Sequence, residues 1–91
     1  KIEASRMLTW KSAYESDNGI RNTESAAHAK RFAADTAMEV STDAVQIFGG
    51  YGYSEEYPVA RLMRAAKVMQ IYEGSSQVQR MIIGREITSQ F

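Results

Sequence analysis

The chain has 91 residues, enough for one domain with a thin stability margin, and 44% hydrophobic content with one proline and six glycines suits a compact helical fold. Eleven Lys and Arg balance eleven Asp and Glu, so no general electrostatic pull toward nucleic acid or an anionic membrane is implied. The absence of cysteine excludes disulfides, thiolate metal sites and a cysteine nucleophile, and no apolar run approaches the roughly 18 residues that span a bilayer.

The opening residues, KIEASR, are not a signal peptide, and they read as mid-helix sequence without an initiator methionine. The expectation is a piece of something longer. From Ile2 to about Asp17 good helix formers run with Ala4, Met7, Leu8, Lys11 and Tyr14 down one face and Trp10 at its border. Asn18-Gly19 then stops the helix, since both residues tolerate a left-handed cap.

Asn22 or Thr23 caps a second helix, predicted from Glu24 to about Phe48. Its stripe of Ala26, Ala29, Ala33, Ala37, Val40, Ala44 and Ile47 keeps helical spacing, and so many alanines imply close approach by a neighbouring helix. His28 falls one step off that stripe, at a rim position with no partner cluster for a metal.

At Gln46 the pattern changes to QIFGGYGYSEEYP. Gly49, Gly50 and Gly52 end the helix and let backbone come close to something a Cβ would exclude. GGYG lacks the GxGxxG spacing and the preceding strand of a dinucleotide fold, so a helix cap followed by a loop, anchored by Tyr51, Tyr53 and Tyr57, is expected. Pro58 opens a third helix over Val59 to about Lys67, with Leu62, Met63 and Ala66 inward and Arg61, Arg64 and Lys67 outward.

The segment QIYEGSSQVQR, Gln70 to Arg80, leads into the last helix, Ser76 to about Thr88. Val78, Met81, Ile82 and Ile87 are assigned inward there, with Gln77, Gln79, Arg80 and Glu86 mostly outward. Ser75 suits the cap, and Glu73 just upstream sits near the positive end of the helix dipole. On spacing alone Glu73 is either a helix-stabilising acid or a general base held at a helix mouth. Four helices, no strand and short connections give an all-α fold, an antiparallel four-helix bundle-like domain over residues 1–91.

QIFGGYGY, EYPVARLMR and QIYEGSSQVQR, in that order and at these separations, resemble the C-terminal helical domain of acyl-CoA dehydrogenases, closest to short- and medium-chain members. The resemblance covers essentially the whole chain. It implies a flavoprotein whose N-terminal helical and middle β-domains lie outside these residues, and which assembles as a homotetramer. The implied reaction oxidises an acyl-CoA thioester to the trans-2-enoyl-CoA. A glutamate at the position of Glu73 removes the α-proton, the β-hydrogen leaves as hydride to flavin N5, and electrons pass on to an electron-transferring flavoprotein.

The same resemblance implies that Gln46, Ile47, Phe48, Gly49 and Gly50 contact the adenosine and pyrophosphate part of FAD, commonly that of a neighbouring subunit. It places Gly74 beside the substrate, and Ser75, Ser76 and Gln77 at a cofactor-contacting segment in which serine replaces threonine at Ser75 but keeps the hydroxyl. Ala65 stands where the resemblance implies an acid, so a local ion pair of the family's kind is not expected at that site. Bacterial cytoplasm or mitochondrial matrix suits the family, and the isolated 91 residues are expected to be inactive. A carboxylate of reference pKa about 4.3 is a weak base toward an ordinary α-carbon, so the chemistry requires a dry apolar surround and a polarised thioester. The competing reading is a helical oligomerisation module without chemistry.

Overall fold

The computed structural model describes residues 1–91. The chain is all-α, with α1 over Ile2–Asp17, α2 over Thr23–Phe48, α3 over Gly50–Tyr53, α4 over Pro58–Met69 and α5 over Ser76–Thr88. The four long helices fall where hydrophobic spacing and caps put them. The glycine segment differs, for it winds one short helical turn, α3, instead of an open loop.

The helix ends follow local chemistry. Asn18 ends α1, its side-chain Nδ2 donating to Tyr14 O at 2.8 Å, and Gly19 follows with φ +67°. Pro58 occupies the first turn of α4, where its missing N–H leaves no bond unmade. Ser75 caps α5 by accepting from Val78 N at 3.2 Å. Asn22 precedes α2 without a side-chain cap bond; its Nδ2 instead donates to Ser12 O and Ser12 Oγ, both at 3.2 Å, and ties α1 to α2.

α2 is the common partner: α1, α3, α4 and α5 all pack against it, while α1, α4 and α5 do not touch one another. The molecule is accordingly elongated, 50 × 23 × 19 Å, with a radius of gyration of 15.6 Å. A compact globule of this length has about 12 Å. The centre of the packing is small. Ala27, Ala29 and Ala34 of α2 are buried, joined by Val59 and Ala66 of α4, so helices approach on alanine and no large side chain is fully enclosed.

Several inward assignments change. On α1 the covered residues are Ser5, Leu8, Ser12 and Glu15, each half-buried, whereas Met7, Trp10 and Tyr14 are exposed. Val40 and Ile47 of the α2 stripe are exposed, and so is Leu62 of α4. The reversal is sharpest on α5, where Gln79 and Glu86 are buried and Val78 and Met81 are exposed. The cause is physical: α5 meets α2 along a polar seam, in which Arg21 donates to both carboxylate oxygens of Glu86 at 2.6 and 2.9 Å. That bidentate pair holds Glu86 inward, while Ile82 and Ile83 are half-buried.

Candidate functional site

The connection between α4 and α5 carries the residues of interest. After Met69 the chain keeps turning, with Gln70, Ile71 and Tyr72 N–H groups donating to carbonyls of Lys67 and Val68. Ser76 N–H then donates back to Gln70 O at 3.0 Å, closing the loop into a ring. At the tip Glu73 has φ +54° and Gly74 φ +87°. A left-handed glutamate stores about 1–3 kcal/mol of strain, which persists only where surroundings over-determine the backbone.

Those surroundings are side chains from α2 and α5. Gln79 Nε2 donates to Glu73 O at 3.4 Å and Gly74 O at 3.3 Å, and a Cβ on Gly74 would collide with that same Nε2. Lys30 Nζ donates to Met69 O and to Gly74 O, the latter at 3.3 Å, and lies 5.9 Å from the centre of the Tyr72 ring. Asp35 Oδ1 accepts from Gln70 Nε2 at 2.8 Å and from Ser76 Oγ at 2.7 Å, while its Oδ2 accepts from Arg80 at 3.2 Å. Burial pushes the Asp35 carboxyl up, but the Ser76 and Gln70 hydrogen bonds and the charges of Arg80 and Arg31 outweigh it and hold it below its usual range. Asp35 is therefore a carboxylate at neutral pH.

The carboxylate of Glu73 itself belongs to an exposed residue, and Gly74 beside it is half-buried. Ser76 is buried, with its hydroxyl donated to Asp35 and its N–H to Gln70 O; Gln77 is exposed. An open polar cleft of about 270 Å³ runs along this segment, lined by Asp35, Lys67, Ser75, Ser76, Gln77 and Arg80.

The second cluster, Gln46 to Gly50, is at the far end of α2. It lies about 16 Å along the helix from Asp35 at a rise of about 1.5 Å per residue. The structure thus gathers Glu73, Gly74, Ser75, Ser76 and Gln77 but keeps the glycine cluster apart from them. Both Gly49 and Gly50 are exposed, a Cβ at either would meet nothing within 4 Å, and Ile47 is 84% exposed. Gly52, in contrast, has no room for a side chain: its Cβ would sit 2.5 Å from Val45 O. Tyr51 and Tyr57 meet edge-to-face at 5.6 Å, but both are exposed, as is Tyr53, so the three tyrosines do not bury into the fold as loop anchors.

Lys30, Asp35 and Gln79 were not singled out from sequence. Their signal is faint: Lys30 and Asp35 are charges set among the alanines of α2, and Gln79 is a glutamine at a covered position of α5. His28 is half-buried beside Glu24, with 3.6 Å between Nε2 and Oε1, as a rim position implies. No group of three or more potential ligands forms a metal site, and no helix is long and apolar enough to cross a membrane.

Against known families, the model described as "Acyl-CoA dehydrogenase, C-terminal domain" matches residues 1–88. The chain belongs to the acyl-CoA dehydrogenase family. The short-chain-specific acyl-CoA dehydrogenase of Megasphaera elsdenii is 61% identical over 84 residues, covering 92% of this chain and 22% of that protein. The solved butyryl-CoA dehydrogenase from Megasphaera elsdenii superposes with a TM-score of 0.93 at 59% identity, over 96% of this chain and 23% of that one. A chain from the structure of the electron transferring flavoprotein of Acidaminococcus fermentans superposes with a TM-score of 0.92 at 55% identity, over 94% of this chain and 23% of that one. The chain spans less than a quarter of the length of these relatives. The all-α C-terminal domain implied by the QIFGGYGY, EYPVARLMR and QIYEGSSQVQR segments is thereby established.

Proposed function

We propose that this chain is the C-terminal domain of an FAD-dependent enzyme that oxidises a short acyl-CoA thioester to the trans-2-enoyl-CoA, with Glu73 as the α-proton base. The observation that carries the reading is the left-handed pair Glu73-Gly74 at the tip of a closed, three-way tethered loop. Strain retained on a carboxylate-bearing residue is characteristic of functional sites.

In this role Glu73 accepts the proton as the α C–H bond breaks, the proton ending on a carboxylate oxygen. Bound FAD supplies the acceptor for the β-hydrogen and its electron pair. Gly74 lies beside the thioester, and its missing side chain keeps Gln79 in place, since a Cβ there would strike Gln79 Nε2. Ser75 and Gln77 face the cofactor along the polar cleft, Ser76 fixes that segment through its bonds to Asp35 and Gln70, and Gln46 to Gly50 receive the adenosine and pyrophosphate portion. The separation of about 16 Å along α2 from Asp35, beneath the Glu73 loop, to Gln46 suits an arrangement in which that portion belongs to a neighbouring subunit of a homotetramer.

Because Glu73 is exposed in this chain, the water-excluding walls come from the domains missing here, and the 91 residues alone are inactive. The electron acceptor is an electron-transferring flavoprotein, and bacterial cytoplasm or mitochondrial matrix is the compartment. The test is the full-length protein: it is expected to purify yellow and to bleach on butyryl-CoA with crotonyl-CoA as product. A colourless protein inert to butyryl- and octanoyl-CoA overturns the reading.

The second reading, a helical oligomerisation module, is favoured by the exposed Met7, Trp10 and Tyr14 on α1 and Met81 on α5. Flavin absorbance separates the two, since assembly of the full-length protein without a yellow cofactor selects the module.

A further inference from the structure

Two side chains of α2 each reach both ends of the loop that carries Glu73. Lys30 donates to Met69 O, at the end of α4, and to Gly74 O, beyond the tip. Asp35, about 7–8 Å further along the helix, accepts from Gln70 at the start of the loop and from Ser76 at its close. The backbone bond from Ser76 N–H to Gln70 O lies between the two groups that Asp35 holds. Neither residue is needed to fill the core: Lys30 and Asp35 are half-buried, and the neighbouring Ala29 and Ala34 do the close packing.

We infer that Lys30 and Asp35 are positioning residues, a two-point tether by which α2 fixes the Glu73 loop in its left-handed, base-presenting conformation. The inference rests on the assignment of Glu73 as the base. The chemistry of each tether suits a fixed backbone. An ammonium offers several donors, one to the Met69 carbonyl at the C-terminal end of α4, where a cation is also favoured by the helix dipole, and one to Gly74 O beyond the loop tip. A carboxylate accepts from an amide and a hydroxyl at once, and Arg80 and Arg31, at 3.2 and 3.8 Å, keep it charged and in place. Gln79 completes the clamp from α5, so the tip is held on both sides.

The tether separates position from binding. Lys30 and Asp35 lie under the loop, so loosening them displaces the base while leaving Gln46 to Gly50 at the far end of α2 untouched. A displacement of about 1 Å costs on the order of 100-fold in rate.

The experiment uses the full-length flavoprotein with Lys30→Met and Asp35→Ala, and Lys30→Arg as the conservative control. At equal flavin occupancy each of the first two is expected to lower kcat roughly 10- to 100-fold with KM for butyryl-CoA nearly unchanged. The Ser76 amide is expected to exchange with solvent at least about tenfold faster. Lys30→Arg, which keeps donors for both carbonyls, restores most of kcat. Wild-type kcat per bound flavin, or a loss of kcat with Ser76 exchange unchanged, overturns the tether. Should Lys30→Met fail to fold, Lys30→Ala, which also removes the donors, reads the same kcat and KM split. Full activity of Glu73→Gln would remove the base assignment, whereas amide exchange at Ser76 reports the tether independently of which residue is the base.

Discussion

At the scale of single residues, conformation and not charge distinguishes Glu73. Its acid is surface-placed, but its φ of +54° and the φ of +87° at Gly74 make an unusual consecutive pair. Gly74→Ala is expected to destabilise the fold by about 1–3 kcal/mol, because the alanine must hold that angle and displace Gln79 from its two carbonyls. Thermal melts of the full-length protein measure this. Gly50→Ala makes the contrasting case. A Cβ there meets nothing and its φ is not left-handed, so the melting temperature should stay put while FAD affinity falls. Retained FAD affinity in Gly50→Ala removes the close-approach role of that glycine.

At the scale of elements, each helix was legible to the extent that its ends and spacing speak locally. Pro58, Asn18-Gly19 and Ser75 mark boundaries because their chemistry acts on the nearest backbone. Which face turns inward was less legible. The rule that apolar residues point to the core failed on α5, where Gln79 and Glu86 face α2 and Met81 is 73% exposed. A helix with polar partners on one side and an apolar surface on the other has two faces to satisfy, and a single sequence does not say which belongs to its own chain. The left-handed loop was invisible for a similar reason, since Glu-Gly tolerates that backbone but does not require it. The identity of Glu73, Gly49 and Gly50 as residues of interest was legible; the tether through Lys30, Asp35 and Gln79 was not, because it joins residues far apart in sequence.

The polar seam also sets the acid response. The hydrogen bonds and charge of Arg21 hold the Glu86 carboxyl below its usual range, and Asp35 is held low as described. A carboxyl whose folded pKa lies below its unfolded value of about 4 contributes fully above that value and loses its contribution as pH falls through the folded pKa. Stability is therefore expected to be flat in these two groups above about pH 5 and to decline below about pH 4. Asp35→Asn should flatten the acid limb of a melting-temperature profile. An unchanged limb would show that the Asp35 interactions do not stabilise the fold. Ser75→Ala, which removes the cap on Val78 N–H, should cost about 1 kcal/mol by denaturant titration.

At the scale of the whole molecule, one helix organises the rest and much apolar surface is left uncovered. Trp10, Tyr14, Ile47, Tyr53, Met81 and Phe91 are all at least 60% exposed, which is more than a stable monomer of this size usually shows. The separate 91-residue chain is expected to self-associate, with sedimentation at rising concentration as the check; a strictly monomeric, cooperatively folded chain would contradict this. On the proposed reading the same surfaces meet further domains and subunits of the full-length protein, and the exposed Glu73 gains its dry surround there. The most direct test of that picture is the single-turnover bleaching of flavin by butyryl-CoA in full-length Glu73→Gln. The expected result is normal flavin content and thioester binding with the bleaching rate lowered by at least about 10²- to 10⁴-fold; bleaching at the wild-type rate would show that the proton leaves to some other group.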